Sequence, residues 1–373
     1  MHADLLIAGA GPAGCAAAVA ARRAVPDLHV VLVDSARFPR DKLCGGAITG
    51  GGLLEMERAG LALRVPHAVV RSVRLRLDGA SVRVEMPRPA AVVRRLEWDA
   101  DLLAQARQAG AVVIEEAPLQ GLRGDVADTG AGPIAFGALV CADGVAGPSR
   151  RLLGLPPGRR APLREALAAG RGQEDLVFDL DAGVEGYAWR FPCLVGARPV
   201  ENAGIYSLGG ASDLGGALAQ WAEGERLRIG PPEAWSLRLW ERGGPVGAGR
   251  ALLAGDALGA DRLTGEGIRY ALWSGRIAGD LAARATHRGG GPTAGGLLRW
   301  AYRARLAVSR SGVALSLFRS LAARLYGGGP RWRRLAGDRE VIEALAALVS
   351  GAAPPRPLLA LLLRYRSSRA APP

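Results

Sequence analysis

The chain opens with a glycine-rich turn between two short apolar runs, and this feature most constrains its fold. The run Asp4–Ala8 leads into a Gly-Ala-Gly-Pro-Ala-Gly turn at 9–14, and the alanine-rich stretch Cys15–Arg23 follows. A second apolar run, 28–33, ends at Asp34. The order predicts strand, turn, helix, strand and acid, which is the βαβ arrangement that binds dinucleotides.

Each residue type in this turn has a physical role. Gly9 permits a sharp turn, Gly11 lets backbone amides approach a pyrophosphate, and Gly14 allows close packing of helix on strand. The helix N-terminus favours negatively charged phosphates. Asp34 can accept hydrogen bonds from both hydroxyls of an adenosine ribose.

Length and composition favour a large globular protein. At 373 residues and 49% hydrophobic content, the chain suits two closely joined domains or one large one. No apolar stretch is long and uncharged enough to predict a transmembrane helix, and the apolar N-terminus lacks a basic leader region. We therefore expect a cytoplasmic protein.

The charged and metal-ligating residues exclude some classes. The net charge of +13 comes from basic residues spread along the chain, without the aromatic-interleaved basic patch typical of nucleic-acid binding. This charge has two explanations. One is an arginine-rich composition without a functional role, and the other is attraction to an anionic membrane surface or substrate. The four cysteines and four histidines show neither metal spacing nor a disulfide framework. We expect no metal site and no nucleic-acid partner.

One lysine stands out among the basic residues. Of 48 lysine and arginine residues, only Lys42 is a lysine, and it precedes Cys44-Gly45-Gly46. A lysine ammonium is more compact than an arginine guanidinium and is hydrated differently, so position 42 is a candidate for a site that needs the smaller group. The alternative is that this one lysine was kept by chance. The glycines allow backbone to approach a flat ligand, and the alternative is a glycine hinge beside a buried cysteine.

Two later strands also end in aspartate. The run Leu139–Ala142 precedes Asp143-Gly144, with Ser149 predicted to cap a short helix. The run 250–254 precedes Gly255 and Asp256, and the helix 269–285 begins after Gly265, Gly267 and Ile268. Ligands bind at the carboxyl ends of parallel strands, so two helix N-termini there fit one long cofactor.

Alternating segments predict a second, antiparallel layer. Residues 68–93 alternate around a hairpin turn at Asp78-Gly79. In the strand 185–191, the side chains of Tyr187, Trp189 and Phe191 share one face and form an aromatic wall, unless they are ordinary core. The C-terminal part has helical spacing at 297–325 and 339–349. Its leucine-rich piece 358–363 suits packing onto the body or contact with a membrane surface.

Together these stretches resemble the flavoproteins of the para-hydroxybenzoate hydroxylase type over residues 1–285. Within that superfamily the chain resembles the geranylgeranyl reductase family. The narrower resemblance rests on Lys-Leu-Cys-Gly-Gly at 42–46 and on Tyr-Ala-Trp-Arg-Phe-Pro at 187–192.

The resemblance implies a fold and a cofactor. The fold class is α/β, with an α+β substrate layer. A Rossmann-like FAD-binding domain (1–66, 94–155 and 246–285) is interleaved with an antiparallel-sheet substrate domain (67–93 and 156–245), and a helical region (286–373) follows. The implied cofactor is FAD, with NAD(P)H or another reductant as transient electron donor. The implied FAD-binding residues are Gly9, Gly11, Ala13, Gly14, Asp34, Cys44, Gly45, Gly46, Ala47, Arg95, Asp143, Gly255, Asp256, Gly265, Gly267 and Ile268.

The resemblance also implies an activity. The implied protein is an FAD-dependent reductase that acts on isolated double bonds of a prenyl or other apolar substrate. In this reaction, hydride is delivered from the flavin N5 atom. Cys44 is the candidate proton donor or flavin shield, and Lys42 is the candidate for tuning it. Tyr187, Trp189, Phe191 and Pro192 are the candidate substrate contacts, and peripheral membrane contact is a further expectation. The alternatives are an FAD-dependent monooxygenase using NAD(P)H and oxygen, and a flavoprotein without turnover.

Overall fold

The computed structural model describes residues 1–170, 172, 174–210, 213–288, 294–326, 338–352 and 358–360. In chain order the strands are β1 (His2–Ala8), β2 (Val30–Val33), β3 (Ala47–Ile48), β4 (His67–Leu77), β5 (Ala80–Val93), β6 (Val112–Ile114), β7 (Leu119–Arg123), β8 (Val126–Thr129), β9 (Gly132–Cys141), β10 (Arg160–Ala169), β11 (Asp175–Asp179), β12 (Gly186–Val195), β13 (Arg198–Ser207), β14 (Glu233–Arg238), β15 (Gly247–Ala248) and β16 (Ala251–Leu253). The helices are α1 (Pro12–Ala24), α2 (Gly50–Ala59), α3 (Arg95–Gln108), α4 (Ser149–Leu152), α5 (Leu214–Gly224), α6 (Ile268–His287), α7 (Ala294–Val308), α8 (Arg310–Leu325) and α9 (Arg339–Val349).

The first sheet has a parallel core in the order β16-β9-β1-β2-β6. These strands are short apolar runs buried on both faces, as parallel strands covered by helices must be. Ala8 is level with both Val33 and Cys141 in the registers of β1 with β2 and β9. The strand ends therefore bring Gly9, Asp34 and Ala142 to one edge of the sheet.

The second sheet is largely antiparallel, in the order β14-β10-β13-β12-β11-β4-β5-β3, with β11 parallel to β4. The hairpin between β4 and β5 turns at Asp78 and Gly79, which have φ angles of 52° and 74°. Positive φ at both central residues is the geometry that favours Asp-Gly in a tight hairpin. The predicted α/β class with a second, antiparallel layer is confirmed.

The C-terminal helices differ from the sequence expectation in one respect. The helical spacing at 297–325 belongs to two helices, α7 and α8, separated at Ser309. The Ser309 side chain accepts a hydrogen bond from the Gly312 amide, so this residue caps a new helix and does not continue the old one. The glycine-rich segment 289–292, which the sequence predicts to be a linker, lies outside the described residues, as does the second half (361–363) of the leucine-rich piece at 358–363. No helix in the described ranges is both long and apolar enough to cross a bilayer.

Candidate functional site

A cavity of about 640 Å³ lies between the two sheets and contains nearly all of the candidate residues. Its lining includes Gly9, Gly11, Ala13, Asp34, Lys42, Cys44, Gly45, Gly46, Ala47, Arg95, Asp143, Tyr187, Trp189, Phe191, Gly255, Asp256, Gly265, Gly267 and Ile268. Gly14 and Pro192 do not line it. Residues from both ends of the predicted FAD-binding domain thus share one cavity.

The turn after β1 presents the start of α1 to this cavity. Gly9 has φ +101°, and a Cβ atom there would lie 2.3 Å from the Ala142 carbonyl oxygen. No side chain caps α1, so its first amides are free of the usual side-chain partner. Asp34 accepts hydrogen bonds from the Ala10 amide at 2.6 Å and from the Ala36 amide at 2.8 Å. The acid therefore helps to hold the turn as well as facing the cavity.

Gly14 serves packing. A Cβ atom on it would lie 1.8 Å from the Gly9 carbonyl oxygen, so the helix can approach the turn only if this residue is glycine. This matches the packing role that the sequence assigns to it, and the contact with FAD that the family resemblance implies for it stays a prediction.

Helix α6 packs against α1 along two glycines one turn apart. A Cβ atom on Gly275 would lie 2.0 Å from the Ala13 carbonyl oxygen, and one on Gly279 would lie 2.1 Å from the Ala17 carbonyl oxygen. The two helices are in backbone contact here. Helix α6 also begins without a side-chain cap, at Gly267. The glycine contact thus brings two uncapped helix N-termini to one cavity.

Lys42 bonds to an acid far along the chain. Its Nζ atom donates to Asp256 Oδ2 at 2.8 Å. Burial raises the pKa of Asp256, but the positive charges of Lys42, Arg95 and Arg238 together outweigh this and the net shift is downward. The expected tuning partner of Cys44 is therefore engaged with Asp256.

The cation beside Cys44 is Arg95. Burial lowers the pKa of Arg95, but the nearby Asp99 and Cys44 together outweigh it, and the net shift is upward. The Arg95 Nε and Nη2 atoms donate to Asp99 at 2.7 and 2.6 Å. A charged guanidinium paired with Asp99 thus lies within electrostatic range of Cys44.

Asp143 has one partner and one free oxygen. Its Oδ2 atom accepts from the Ser149 amide at 2.8 Å, while Oδ1 is buried without a hydrogen-bond partner in the described structure. Burial raises the pKa of Asp143, and the bonds to Ser149 oppose the rise. The expectation that Ser149 caps α4 is wrong: Pro148 is the N-cap residue and makes no side-chain bond.

The aromatic wall forms as expected. The ring centroids of Tyr187 and Trp189 are 6.2 Å apart, and those of Trp189 and Phe191 are 6.3 Å apart. Trp189 Nε1 donates to Asn202 Oδ1 at 2.7 Å. Pro192 is on the alternate face of β12, outside the cavity. Its expected substrate contact has no geometric support.

Two buried glutamates that line the cavity were not predicted from any sequence motif. Burial raises the pKa of Glu165 and of Glu266 to about 7. Each has one carboxyl oxygen, Oε2, without a hydrogen-bond partner among the described atoms. Glu165 comes from β10, a strand with no distinctive pattern, and only the sheet register brings it to the site. Glu266 lies between two predicted cofactor glycines and could have been suggested from that position.

The far end of the cavity is apolar and comes from the C-terminal helices. The residues there are Leu321, Leu325, Tyr326, Val341, Ile342, Leu345, Ala346, Val349 and Leu358. Of these, Tyr326, Ile342 and Ala346 belong to the same buried cluster as the aromatic wall, and the others belong to a neighbouring cluster of the C-terminal helices. The cavity therefore has a polar nucleotide end, an aromatic middle and a long apolar end.

The residues present fit an FAD molecule. Two uncapped helix N-termini and Asp143, whose Oδ1 atom has no hydrogen-bond partner among the described residues, line the cavity. The helix N-termini suit phosphate groups, and the carboxyl suits a hydroxyl donor such as that of a ribose. A Cβ atom on Gly11 would meet only Arg40 Nη2, at 3.7 Å, so the turn leaves open space above it. The described ranges contain no group of three or more His, Cys, Asp or Glu residues able to hold a metal ion.

Comparison with known proteins gives a consistent result. No family model matches the chain. It is 31% identical over 318 residues to a menaquinone reductase of Mycolicibacterium smegmatis, covering 75% of this chain and 76% of the relative. It is 27% identical to digeranylgeranylglycerophospholipid reductase 2 of Methanopyrus kandleri, covering 76% and 78%. A geranylgeranyl bacteriochlorophyll reductase-like structure from Thermoplasma acidophilum superposes with a TM-score of 0.77 at 19% identity, over 99% of this chain and 96% of that one.

Proposed function

The chain belongs to the geranylgeranyl reductase family of FAD-dependent oxidoreductases, and from this membership we propose that it reduces carbon–carbon double bonds in the isoprenoid part of a lipid. The observation that carries the proposal is the cavity itself, which runs from the nucleotide end past the aromatic wall to an apolar end lined by α8 and α9. An isoprenoid chain is long, apolar and uncharged, and this lining offers it apolar contact throughout.

The bound cofactor and the substrate contact different parts of the cavity. Asp34 and the N-terminus of α1 would hold the nucleotide part of FAD, and the N-terminus of α6 at Gly267 and Ile268 would hold the ring edge. When bound and reduced, FAD supplies the hydride. An isolated alkene is not polarised by a carbonyl group, so alignment between the Cys44 loop and the aromatic wall must supply most of the effect.

Water exclusion is the second contribution of the protein. Tyr187, Trp189 and Phe191 are each no more than 7% exposed, so the middle of the cavity is closed by aromatic carbon. Tyr187 donates its hydroxyl hydrogen to the Thr264 carbonyl oxygen, which fixes this ring against the loop that precedes α6. The charged Arg95 side chain interacts with Asp99 and with the nearby Cys44, so its charge does not lie at the apolar end of the cavity.

We also propose peripheral contact with an anionic bilayer through the outer face of α7. Leu297, Trp300 and Val308 are 66%, 68% and 79% exposed, and helical spacing puts them on one side. Helix α7 contains arginines 299, 303 and 305 and no acidic residue. Apolar side chains beside arginines are the composition of helices that lie in the interface of anionic membranes, and the chain's net charge of +13 complements such a surface.

One anaerobic experiment tests the reductase proposal. The FAD-loaded protein is reduced with dithionite and mixed with a geranylgeranyl lipid or a menaquinone, and flavin absorbance and lipid mass are followed together. We expect reoxidation of the flavin with a gain of two hydrogen atoms per reduced bond. A flavin that stays reduced until oxygen enters, with a gain of one oxygen atom, assigns the protein to the monooxygenases instead. Replacing dithionite by NADH or NADPH identifies the reductant.

A further inference from the structure

Glu165 is a buried acid whose bonding is incomplete. Its side chain enters the cavity from β10, and the residue is 6% exposed. Oε1 accepts from Asn202 Nδ2 at 2.7 Å and from the Cys44 amide at 3.3 Å. Oε2 is buried and has no partner in the described part of the chain. A carboxylate in this state lacks the bonds that normally compensate burial of a charge.

The surroundings of Glu165 favour its protonated form. Burial raises its pKa to about 7, and the bonds from Asn202 and the Cys44 amide oppose the rise only in part. The negative charges of Asp41, from the loop before Cys44, and Glu233, from β14, push in the same direction as burial. Cys193 on β12 lies within electrostatic range of the same carboxyl. Protonated near neutral pH, the carboxyl carries a hydrogen that it can donate.

A hydrogen-bonded chain fixes the position of this acid. Trp189 donates to Asn202 Oδ1, and the other end of the same amide donates to Glu165 Oε1. Because the amide has one accepting and one donating end, Trp189 and Glu165 together determine its orientation. The Cys44 loop supplies the third contact. Glu165 is therefore held where the aromatic wall meets the loop that the family resemblance puts beside the flavin.

We propose that Glu165 is the acid that protonates the substrate carbon opposite to the one receiving hydride. The inference rests on the alkene reductase function proposed above. In the step, the π bond breaks, and one carbon gains the hydride from the reduced cofactor, which is oxidised. The other carbon gains the proton that leaves the Glu165 carboxyl group. The Glu165 carboxylate that remains is reprotonated from water before the next turnover, so atoms and electrons balance.

The substitution Glu165→Gln keeps the shape and removes the acid. In anaerobic single turnover with prereduced, FAD-loaded protein, we expect the rate of alkene reduction to fall about 100-fold. FAD content and the rate of reduction by dithionite stay unchanged. Glu165→Asp restores part of the rate because it returns an acid. The matched control is Glu223→Gln, an exposed glutamate on α5 that does not line the cavity, which retains the wild-type rate.

The pH dependence separates a proton donor from a structural residue. The wild-type rate falls as pH rises above about 7, because the acid loses its proton, and this limb is absent from Glu165→Gln. A second readout needs no turnover: infrared spectra of the oxidised holoenzyme contain protonated carboxyl absorbance that titrates near the same pH, from Glu165 and from Glu266. Glu165→Gln loses the Glu165 share of this absorbance and keeps the Glu266 share.

The outcomes are distinguishable. A wild-type protein that reduces no alkene overturns the proposed function together with this inference. Wild-type protein that reduces the alkene, with Glu165→Gln equally fast, overturns the inference alone. Protonated carboxyl absorbance that is undiminished in Glu165→Gln, or an unchanged pH limb, overturns the inference in the same way. Slow reduction with normal flavin content, a lost pH limb and diminished carboxyl absorbance support it.

Discussion

Lys42 and Asp256 form a salt bridge, with Nζ 2.8 Å from Oδ2, across the cavity between the loop after β2 and the turn after β16. They are 214 positions apart in the chain. The Asp256 side chain is 9% exposed and that of Lys42 is 24% exposed, so the pair is largely shielded from water. The only lysine of the chain therefore neutralises a buried acid at the cofactor end of the cavity.

Removing this ammonium destabilises the protein in a pH-dependent way. We expect Lys42→Met to lower the free energy of unfolding by on the order of 2 kcal/mol at neutral pH, because Asp256 is left buried without its partner. The pKa of Asp256 is depressed in the wild type, so the salt bridge stabilises above the ordinary carboxyl range and is lost as pH falls through the depressed value.

Urea unfolding of the holoenzyme at about pH 7 and about pH 3 measures the effect, because the loss occurs below the ordinary carboxyl pKa of 3.8. The gap between wild type and Lys42→Met should shrink at the lower pH. The double variant Lys42→Met with Asp256→Asn should recover part of the loss, giving a coupling of about 1 kcal/mol. Equal stabilities of wild type and Lys42→Met at neutral pH contradict the prediction.

Glu165→Gln should gain stability at alkaline pH while losing activity. The folded-state pKa of Glu165 is raised from 4.5 to about 7, so the wild type loses stability as pH rises between these values. The glutamine has no such loss. We expect the variant to be more stable by on the order of 2 kcal/mol above pH 7, and equally stable at about pH 4. Thermal unfolding across this range tests it, and a pH-independent difference refutes the assignment of the titration to Glu165.

The contact between α1 and α6 should tolerate no side chain. Gly279→Ala puts a Cβ atom 2.1 Å from the Ala17 carbonyl oxygen, so the helices must separate. We expect a loss of about 3 kcal/mol in stability and weaker FAD binding, measured by thermal unfolding and by flavin fluorescence. Gly296→Ala is the matched control: it is a helical glycine with nothing within 4 Å of an added Cβ. Similar losses in both variants count against the contact as the cause.

Cys44 should be the first cysteine to react with iodoacetamide. It is half-buried and lines the cavity, whereas Cys15, Cys141 and Cys193 are buried. Burial also raises the pKa of those three thiols, which lowers their reactivity. Peptide mass spectrometry should find Cys44 modified first, and more slowly when a geranylgeranyl lipid is present. Modification of Cys193 ahead of Cys44 contradicts this order.

The outer face of α7 should control vesicle binding. We expect the protein to cosediment with phosphatidylglycerol vesicles, less so with phosphatidylcholine vesicles, and less as salt increases. Trp300→Ala should weaken binding roughly tenfold, since burying one large side chain in lipid is worth on the order of 1 kcal/mol. Val69→Ala, at a residue 56% exposed on β4, is the control and should leave binding unchanged. Equal binding to both kinds of vesicle contradicts the proposal that α7 makes an electrostatic contact with the membrane.

Local patterns predicted the parts of this structure that depend on neighbours in the sequence. The βαβ unit, the Asp78-Gly79 hairpin and the alternation that aligns Tyr187, Trp189 and Phe191 each follow from a few consecutive residues. The break at Ser309 was also a local signal, but it was missed because apolar spacing continues on both sides of the cap.

The remaining features of the site depend on contacts between segments that are far apart in the sequence. Glu165 meets Cys44 only because β10 pairs with β13 in one particular alignment, and no motif records that alignment. Lys42 was expected beside Cys44 because the two are close in sequence, yet its long side chain reaches Asp256. Pro192 was included in the aromatic motif, although strand alternation turns it to the other face.

The contact of α1 with α6 also has a consequence for biosynthesis. One wall of the nucleotide site is made within the first 24 residues, and the other begins at Ile268. A chain growing on the ribosome thus presents the alanine face of α1 without its partner until most of the protein has been translated. Cofactor loading is therefore a late event that follows release of α6. We expect any product truncated before Ile268 to be unable to bind the cofactor and to expose the apolar face of α1. Such a chain is a substrate for cellular quality control.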